Sequence, residues 1–266
     1  MKPFLSIIIP AYNEAERLPL TLVDMDKRLN GVKYSYEILV VNDGSTDNTG
    51  EIVKKMAPAI KNLKLIDNRV NQGKGGVVKQ GMLLAKGEYR LFTDADNSTS
   101  IDHFEKMIPF LSAKGPLRQR SEASGSAYGG KNNEIYDVVV GSRAVKGSKL
   151  EPPQPFYKQL LGKLSNIIIQ IVNVPGIWDT QCGFKAFGEK AAEKIFNVSK
   201  INGWGFDIEA LALARHFGYR TKEMPVHWVN DIRSHVKLSA YLKTFVENVK
   251  IRWWIIIGAY EKSAEI

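Results

Sequence analysis

Short apolar runs alternate with amphipathic stretches along the first third of the chain. A polar cluster follows each apolar run, and the runs lie at 4–9, 36–41, 63–67 and 89–93. Apolar residues at helical spacing fill the intervals, most clearly at 15–29 and 76–85. Strands and helices that alternate in this way form right-handed βαβ units. The pattern therefore predicts an α/β fold with a mostly parallel, twisted sheet and helices on both of its faces.

The polar clusters mark the carboxyl ends of the predicted strands. They lie at 10–14, 42–47, 68–75 and 94–97, whereas the starts of the same strands are not polar. In an open parallel sheet, ligands bind beyond the carboxyl ends of the strands. We therefore expect these four segments to converge on one cleft.

The second half of the chain is less regular. Residues 114–136 are rich in serine, glycine and asparagine, which predicts a long loop, and a further strand is predicted at 136–141. The apolar segment 160–174 is shorter than the roughly 20 residues that a membrane-spanning helix needs. Residues 238–260 interleave apolar residues with lysine and arginine and carry two tryptophans, as an amphipathic helix at a membrane interface would. A core helix at either segment remains the alternative.

Composition narrows the choice of partners. The chain has 266 residues, is 44% hydrophobic and carries a formal charge of +9, so it can fill a large core and suits an anionic partner. The basic residues are scattered and no RNA-binding signature is present, so we expect no nucleic acid partner. A single cysteine, Cys182, excludes an intrachain disulfide and favours a reducing compartment. The strand pattern begins directly after Met1, Lys2 and Pro3, so we expect no export signal and a cytoplasmic protein.

Asp94-Ala95-Asp96 follows the fourth predicted strand. Two carboxylates this close repel each other unless a cation lies between them, and oxygen ligands favour Mg²⁺ or Mn²⁺. The alternative is a pair of solvated turn aspartates, which is the commoner origin of an isolated Asp-x-Asp. The position at a strand end favours the metal.

Two further turns offer groups for a nucleotide. After the second strand, Asp43 and Asp47 flank a glycine turn and can accept hydrogen bonds from a base or ribose, while a helix cap at Ser45 or Thr46 is compatible with that role. In the segment 71–76, Lys74 lies among glycines before a helix, where backbone N–H groups and a cation can meet phosphate. This segment is not a Walker A loop, and a flexible helix-start loop is the alternative.

Taken together, these motifs resemble the glycosyltransferases of family 2, which have the GT-A nucleotide-sugar-binding fold. The resemblance lies in the strand-end segments at 7–14, 40–47, 71–75 and 94–96. Two later segments, 179–185 and 204–209, resemble the subgroup that glycosylates polyprenyl phosphates such as dolichyl phosphate. The resemblance to family 2 implies one domain over 1–266, with a nucleotide-binding half at 1–98, an acceptor-binding half at 136–237 and an amphipathic C-terminal helix at 238–266.

The resemblance also implies roles for residues on the donor side. Asp94 and Asp96 would hold Mg²⁺ or Mn²⁺ on the diphosphate, with Lys74 nearby. Relatives that use mannose often carry a glutamine two positions past the second aspartate; here that residue is Ser98, which favours a glucosyl donor. The residues expected to contact the nucleotide sugar are Pro10, Tyr12, Asn13, Glu14, Asp43 and Ala95.

The acceptor side follows from the chemistry of a polyprenyl phosphate. Its second pKa is about 6, so the phosphate is already an anionic nucleophile at neutral pH and needs no strong base. It does need cations, for which the candidates are Arg143 and the basic turn with Arg233, Ser234 and Lys237. A solvated surface cation is the alternative for each.

Four polar residues in apolar surroundings complete the candidate set: Asp179, Gln181, Asp207 and Glu209. A carboxylate there needs a partner, such as a sugar hydroxyl, Lys185 or an acceptor arginine, and a structural ion pair is the alternative. We assign catalytic roles to Asp96, Asp207, Arg143, Gln181 and Asp179, and substrate binding to Glu209. In relatives that glycosylate hydroxyl groups, Asp207 matches the catalytic base.

The sequence thus predicts an inverting, metal-dependent transferase that moves glucose from UDP-glucose to a polyprenyl (dolichyl) phosphate and gives a β-linked lipid phosphosugar. We expect it to work as a peripheral protein on the cytoplasmic face of a membrane. The alternative is a family 2 transferase that uses GDP-mannose or another donor, or a saccharide hydroxyl acceptor with Asp207 as base.

Overall fold

The computed structural model describes residues 2–112, 134–152, 156–230 and 238–261, without the side chains of 156–161 and 238–241. The strands in this part of the chain are β1 (Leu5–Ala11), β2 (Tyr36–Asp43), β3 (Leu63–Asn68), β4 (Tyr89–Thr93), β5 (Val138–Ser142), β6 (Lys149–Glu151), β7 (Phe184–Gly188), β8 (Thr221–Pro225) and β9 (His227–Val229). The helices are α1 (Leu18–Leu29), α2 (Thr49–Met56), α3 (Lys74–Leu84), α4 (His103–Leu111), α5 (Phe156–Val172), α6 (Glu189–Val198), α7 (Phe206–His216) and α8 (Leu238–Ile256).

Seven strands form one sheet in the order β3-β2-β1-β4-β7-β5-β8. Neighbouring strands are parallel except at β7, which runs antiparallel to both β4 and β5. The first four strands are parallel neighbours in the order β3-β2-β1-β4, so the predicted mostly parallel α/β fold is confirmed. Strands β6 and β9 form a separate parallel pair.

Helices cover both faces of the sheet, as predicted. Every residue of β1 and β2 is buried, because both faces of these central strands meet helices. On one face, Leu22 of α1 and Phe104 of α4 pack on the sheet, and on the other, Val78 of α3 and Leu211 of α7 do so.

The boundaries of several elements differ from the prediction. Helix α1 begins at Leu18 rather than at 15, and Pro19 lies in its first turn. Helix α3 begins at Lys74, two residues earlier than expected. The predicted long loop at 114–136 falls almost wholly outside the described residues. Strand β7 was not predicted, because Lys185 interrupts its short apolar run.

The last two long helices pack against each other. Asn173, which directly follows α5, donates from Nδ2 to the carbonyl oxygen of Asn248 in α8 at 2.7 Å. Both helices leave apolar side chains exposed: Leu164, Ile167 and Ile171 on α5, and Leu242, Phe245, Val249 and Trp253 on α8. Among the helices that the structure describes, none combines the length and the apolar character needed to span a bilayer.

Candidate active site

The loops after β1 and β2 are hydrogen-bonded to each other. Asn13 adopts a positive φ of 55°, donates from its backbone N to Ser45 Oγ at 2.9 Å, and accepts from Thr46 N on its Oδ1 at 2.9 Å. Tyr12 is 47% exposed beside this contact, whereas Pro10 is buried inside β1. The two loops therefore form one wall at the carboxyl edge of the sheet. Contact of these residues with a nucleotide stays a prediction.

Asp43 holds the loop between β3 and α3. Its carboxylate oxygens accept from Gln72 N at 2.6 Å and Gly73 N at 3.1 Å, and the residue is 3% exposed. Burial raises its pKa, and these two backbone hydrogen bonds oppose that rise. The structure thus gives Asp43 a local structural task in addition to the predicted ribose contact, which remains a prediction.

The predicted cap of α2 is wrong in its residue. Neither Ser45 nor Thr46 caps the helix, since both belong to the bridge to Asn13. Instead Asp47 Oδ1 accepts from Thr49 N at 3.0 Å. An aspartate before the helix can satisfy a free N–H group of the first turn as well as serine can.

The glycine loop before α3 packs on protein rather than opening to solvent. A Cβ at Gly73 would lie 2.4 Å from Asn202 O, and one at Gly75 would lie 2.4 Å from Ile201 O. The Gly75 N–H donates to Asn202 O at 2.9 Å, and the Gly73 N–H is used by Asp43. The expectation that these N–H groups bind phosphate is therefore corrected. The glycines allow two backbones to approach closely.

Lys74 is the cation that this loop places in the cleft. Its Nζ lies 2.7 Å from Asp94 Oδ1 and 4.9 Å from the centre of the Trp204 ring. Burial alone would lower the pKa of Lys74, but Asp94, Asp207 and Asp96 raise it. The ammonium therefore stays charged next to the predicted metal ligands.

Asp94 and Asp96 lie together beyond β4. Asp94 N donates to Gly183 O at 3.1 Å, and a Cβ at Gly183 would lie 1.7 Å from Asp94 Oδ2, so only glycine leaves space for this carboxylate. Asp96 Oδ1 accepts from Ser98 N at 3.0 Å. Burial, and then the charge of Asp94, raise the pKa of Asp96. Ala95 between them is buried, and its carbonyl accepts from Thr21 Oγ1 at 2.6 Å.

The donor set at these two aspartates fits a hard divalent cation. Both side chains are only partly buried, their charges repel each other, and all their donor atoms are carboxylate oxygens. Mg²⁺ is commonly held by one or two carboxylates together with phosphate oxygens and water. Within the described residues, no group of three or more His, Cys, Asp or Glu side chains is arranged to hold a metal ion.

Glu14 extends the negative charge of this edge. Arg17 donates to it from Nε at 2.7 Å and from Nη2 at 2.5 Å. Burial raises the pKa of Glu14, Arg17 lowers it, and Asp96 and Asp94 raise it further. The Arg17 pair is a contact that the sequence did not predict, and a role in binding the nucleotide sugar stays a prediction.

Directly after β5, at the sheet edge where β4 also ends, Arg143 is fixed by Asp179. Arg143 donates to this carboxylate from its backbone N, from Nε and from Nη2, each at 2.8 Å. Its guanidinium lies 4.6 Å from the centre of the Trp228 ring. Burial opposes the charge of Arg143, but Asp179 raises its pKa above the ordinary value. Asp179 is therefore an anchor for a permanent cation.

Asp207 and Lys185 form a buried ion pair. Lys185 is 1% exposed and donates to Asp207 Oδ1 and to the carbonyl oxygen of Cys182. Burial raises the pKa of Asp207, and Lys185 and then Lys74 oppose the rise. The contact of Asp207 in the structure is thus the ion pair that we gave as the alternative to a contact with substrate. Cys182 is fully buried and its pKa is raised to about 12, mainly by burial, so its thiol stays protonated.

Glu209 is buried in the protein among donors of its own, and its predicted role in substrate binding stays a prediction. The residue is 0% exposed and accepts from Lys200 N, Ile201 N and the Tyr260 hydroxyl at 2.8–2.9 Å. These three hydrogen bonds fasten the segment before α7 to Tyr260, which follows α8. Burial raises its pKa, and these hydrogen bonds oppose the rise.

The remaining candidates are Gln181 and the basic turn. Gln181 is exposed near Asp179, where a substrate could reach it. Arg233, Ser234 and Lys237 lie outside the described residues, so their part in acceptor binding stays a prediction.

Two acidic residues that hold the site together were missed. Glu223 in β8 accepts from Trp178 N and Asp179 N, both at 2.9 Å, and so supports the carboxylate that fixes Arg143. Glu247 in α8 accepts from Gly205 N at 2.7 Å. Their partners are backbone groups distant in sequence, and the only local signal is that Glu247 is the single acidic residue of α8.

Comparison with known proteins identifies the family of this chain. The model of Glycosyl transferase family 2 matches residues 6–123. Dolichyl-phosphate beta-glucosyltransferase ALG5A of Trichomonas vaginalis is 34% identical to this chain, with 97% of this chain and 76% of the relative covered. The chain belongs to glycosyltransferase family 2. Dolichyl-phosphate beta-glucosyltransferases of Dictyostelium discoideum and Saccharomyces cerevisiae are each 33% identical over the same shares of both chains.

Solved structures confirm the fold of this family 2 member. Glucosyl-3-phosphoglycerate synthase from Mycobacterium tuberculosis, in complex with Mn²⁺, UDP and phosphoglyceric acid, aligns with a TM-score of 0.60 at 15% identity, covering 94% of this chain and 78% of the other. Mannosyl-3-phosphoglycerate synthase from Rubrobacter xylanophilus aligns with a TM-score of 0.56 at 14% identity, covering 97% and 75%. The chain therefore has the GT-A fold.

Proposed function

We propose that this family 2 glycosyltransferase transfers glucose from UDP-glucose to a polyprenyl phosphate of the dolichyl type. The strongest support is the identity of 33–34% to dolichyl-phosphate beta-glucosyltransferases over 97% of the chain. The cleft offers what this reaction needs, namely an acidic pair for a metal and a lysine on one side, and a fixed arginine on the other. An acceptor that is already an anion needs cations more than it needs a base.

Asp94 and Asp96 would hold the Mg²⁺ or Mn²⁺ ion. When bound, the ion would neutralise the charge of the leaving diphosphate. Lys74 contributes a fixed positive charge at the same place, since Asp94 keeps it charged. The bound UDP and Mn²⁺ of the mycobacterial synthase are properties of that protein and agree with this assignment only through the shared fold.

Arg143 is the group that we assign to the acceptor phosphate. Asp179 occupies its backbone N, Nε and Nη2, and Nη1 makes no hydrogen bond to the described residues. Preorganised donors cost no reorganisation when charge develops during the reaction. The phosphate oxygen would attack the anomeric carbon as the bond to UDP breaks, which inverts the configuration and gives a β-linked product.

Asp207 would support the site without acting as a base. It is 5% exposed and already paired with Lys185, so it is poorly placed to take a proton from an acceptor hydroxyl. Transfer to a saccharide hydroxyl is therefore the weaker hypothesis.

The reaction can be tested with purified protein, labelled UDP-glucose and dolichyl or undecaprenyl phosphate. We expect a labelled β-linked lipid with Mg²⁺ or Mn²⁺ and none with EDTA. Asp96→Asn should abolish transfer, while Asp102→Asn, the same change at an exposed aspartate paired with Arg28, should not. A product from GDP-mannose but not from UDP-glucose would overturn the donor, and equal turnover in EDTA would overturn the metal.

We also propose that the protein binds peripherally to the cytoplasmic face of a membrane through α5 and α8. Leu242 and Trp253 of α8 are 68% and 59% exposed, and α8 also exposes Lys243, Lys250 and Arg252. Apolar and cationic side chains on one helix suit an anionic leaflet, where each lysine or arginine contributes about 1 kcal/mol.

Liposome flotation tests this placement. The protein should float with vesicles that contain phosphatidylserine and much less with pure phosphatidylcholine. Leu242→Glu with Trp253→Glu should abolish flotation, while Val23→Glu, at a residue 57% exposed on α1, should leave it unchanged. If the double variant floats to the same extent as the wild type, the proposed role of α8 is overturned.

A further inference from the structure

The turn before α7 is held by a side chain from the C-terminal helix. Glu247 of α8 is half-buried and accepts from Gly205 N at 2.7 Å. A Cβ at Gly203 would lie 2.3 Å from Glu247 Oε1, and one at Gly205 would lie 2.6 Å from Oε2. The two glycines therefore admit the carboxylate against their backbone, in a space that any larger residue would fill.

Trp204 stands between these glycines and covers Lys74. The indole ring is 49% exposed, and its centre lies 4.9 Å from Lys74 Nζ. The same turn contacts the lysine loop through its backbone, since Asn202 O accepts from Gly75 N at 2.9 Å. Asn202 thus holds the backbone next to Lys74, at Gly75, and Trp204 covers the Lys74 ammonium.

The charge of Glu247 suits its place. Gly205 is the N-cap of α7, and a carboxylate at a helix N-terminus interacts favourably with the helix dipole. A hydrogen bond from a backbone N–H to an ionised carboxylate is also stronger than a neutral one. Helix α8 contains no other acidic residue that could replace it.

We propose that Glu247 is a positioning residue for the donor side of the site. It fixes the turn 203–205, which keeps Trp204 over Lys74 and thereby keeps the Lys74 ammonium beside Asp94. This role rests on the proposed function, because the diphosphate that Lys74 would meet belongs to the donor. Glu247 itself touches neither the reacting atoms nor the proposed metal ligands.

Steady-state kinetics with UDP-glucose, and the Kd of UDP measured with MnCl₂, test this role. Glu247→Ala should raise the KM and the Kd about tenfold, the size expected for the loss of one charge-assisted hydrogen bond, with kcat changed less than about twofold. Glu247→Gln should restore most of the affinity, because its amide oxygen can still accept from Gly205 N. Glu88→Ala, at an exposed glutamate on the opposite edge of the sheet, should match the wild type.

Non-additivity tests the route through Trp204. Trp204→Ala alone should weaken UDP binding, and the double variant with Glu247→Ala should be no weaker than the worse single variant. Fluorescence adds a signal independent of turnover, since Glu247→Ala should shift the emission assigned to Trp204 by difference from Trp204→Phe.

The outcomes separate the two proposals. A wild type that binds no UDP and transfers no glucose overturns the proposed function, while the fluorescence shift still decides the role of Glu247. Wild-type affinity in Glu247→Ala, full additivity with Trp204→Ala, or an affinity loss in Glu247→Gln equal to that in Glu247→Ala overturns the positioning role. If Glu247→Ala does not fold, wild-type affinity in Trp204→Ala overturns it.

Discussion

Replacing Lys185 by methionine would test the buried ion pair beneath the cleft. The change keeps most of the volume of the side chain and removes its charge. Asp207 would then stay buried, with Lys74 as the remaining cation that opposes the rise of its pKa. Losing one partner of a buried ion pair costs about 3–5 kcal/mol, and little solvent screening reduces that value because Lys185 is 1% and Asp207 5% exposed.

The cost should depend on pH with a definite sign. Burial raises the pKa of Asp207, and removing Lys185 removes the strongest opposing influence, so the pKa rises further. A carboxyl group whose folded pKa exceeds its unfolded value contributes stability that is present below the unfolded pKa and is lost as pH rises through the folded pKa. The cost of Lys185→Met should therefore be larger at about pH 8 than at about pH 5, because protonation of the raised Asp207 carboxyl group is more extensive in acid.

Urea unfolding followed by circular dichroism at both pH values measures this cost. Lys190→Met, at an exposed lysine of α6, is the control and should stay within about 0.5 kcal/mol of the wild type. Lys185→Met combined with Asp207→Leu should recover at least half of the loss, because apolar replacements of a whole buried pair are often neutral. A cost below about 1 kcal/mol, or one that grows in acid, would refute the assignment of a buried, charged pair.

Three further predictions concern the supports of the site. Gly75→Ala should lower the Tm and weaken UDP binding, because its Cβ would lie 2.4 Å from a backbone carbonyl. The control is Gly162→Ala in α5, where a Cβ would have nothing within 4 Å, and it should leave the Tm unchanged or raise it. Differential scanning fluorimetry measures both Tm values. Glu209→Gln should cost about 1–3 kcal/mol in urea unfolding and Tyr260→Phe about 1 kcal/mol, and losses that added in full in the double variant would contradict their hydrogen bond. Burial opposes ionisation of Glu37, but its hydrogen bonds lower its pKa. Glu37 therefore contributes stability above its unfolded pKa, and this stability is lost as pH falls through the folded pKa. Glu37→Gln should make the free energy of unfolding fall less steeply in acid, and an unchanged fall would contradict this role.

Much of the fold follows from local pattern. The first four strands can be predicted because each is a short apolar run followed by polar residues. Because these strands are parallel, their polar ends lie at one edge of the sheet. Strand β7 escapes this logic. Lys185 interrupts its apolar pattern, and its partner Asp207 lies 22 residues further along the chain.

The candidate site was harder to predict, since sequence indicates which residues are polar but not what they face. Glu209 is close in sequence to Asp207, yet its carboxylate pairs with two backbone N–H groups and the Tyr260 hydroxyl rather than with a lysine. The glycines around Lys74 have the same spacing whether the loop faces a ligand or, as here, Asn202. Such contacts depend on tertiary packing, which local periodicity does not encode.

The reversed strand in the middle of the sheet limits how this enzyme can open. Because β7 is bonded to β4 on one side and to β5 on the other, the strands that carry Asp94 and Arg143 belong to one continuous ladder. A hinge between the strand of Asp94 and the strand of Arg143 would have to break the hydrogen bonds of those ladders. Domain closure in two-lobed enzymes breaks no such ladder, because it turns on a few loop residues. Under the proposed function, the donor would enter and the nucleotide would leave through rearrangement of the loops at this edge, while the ladders hold the strands of Asp94 and Arg143 together.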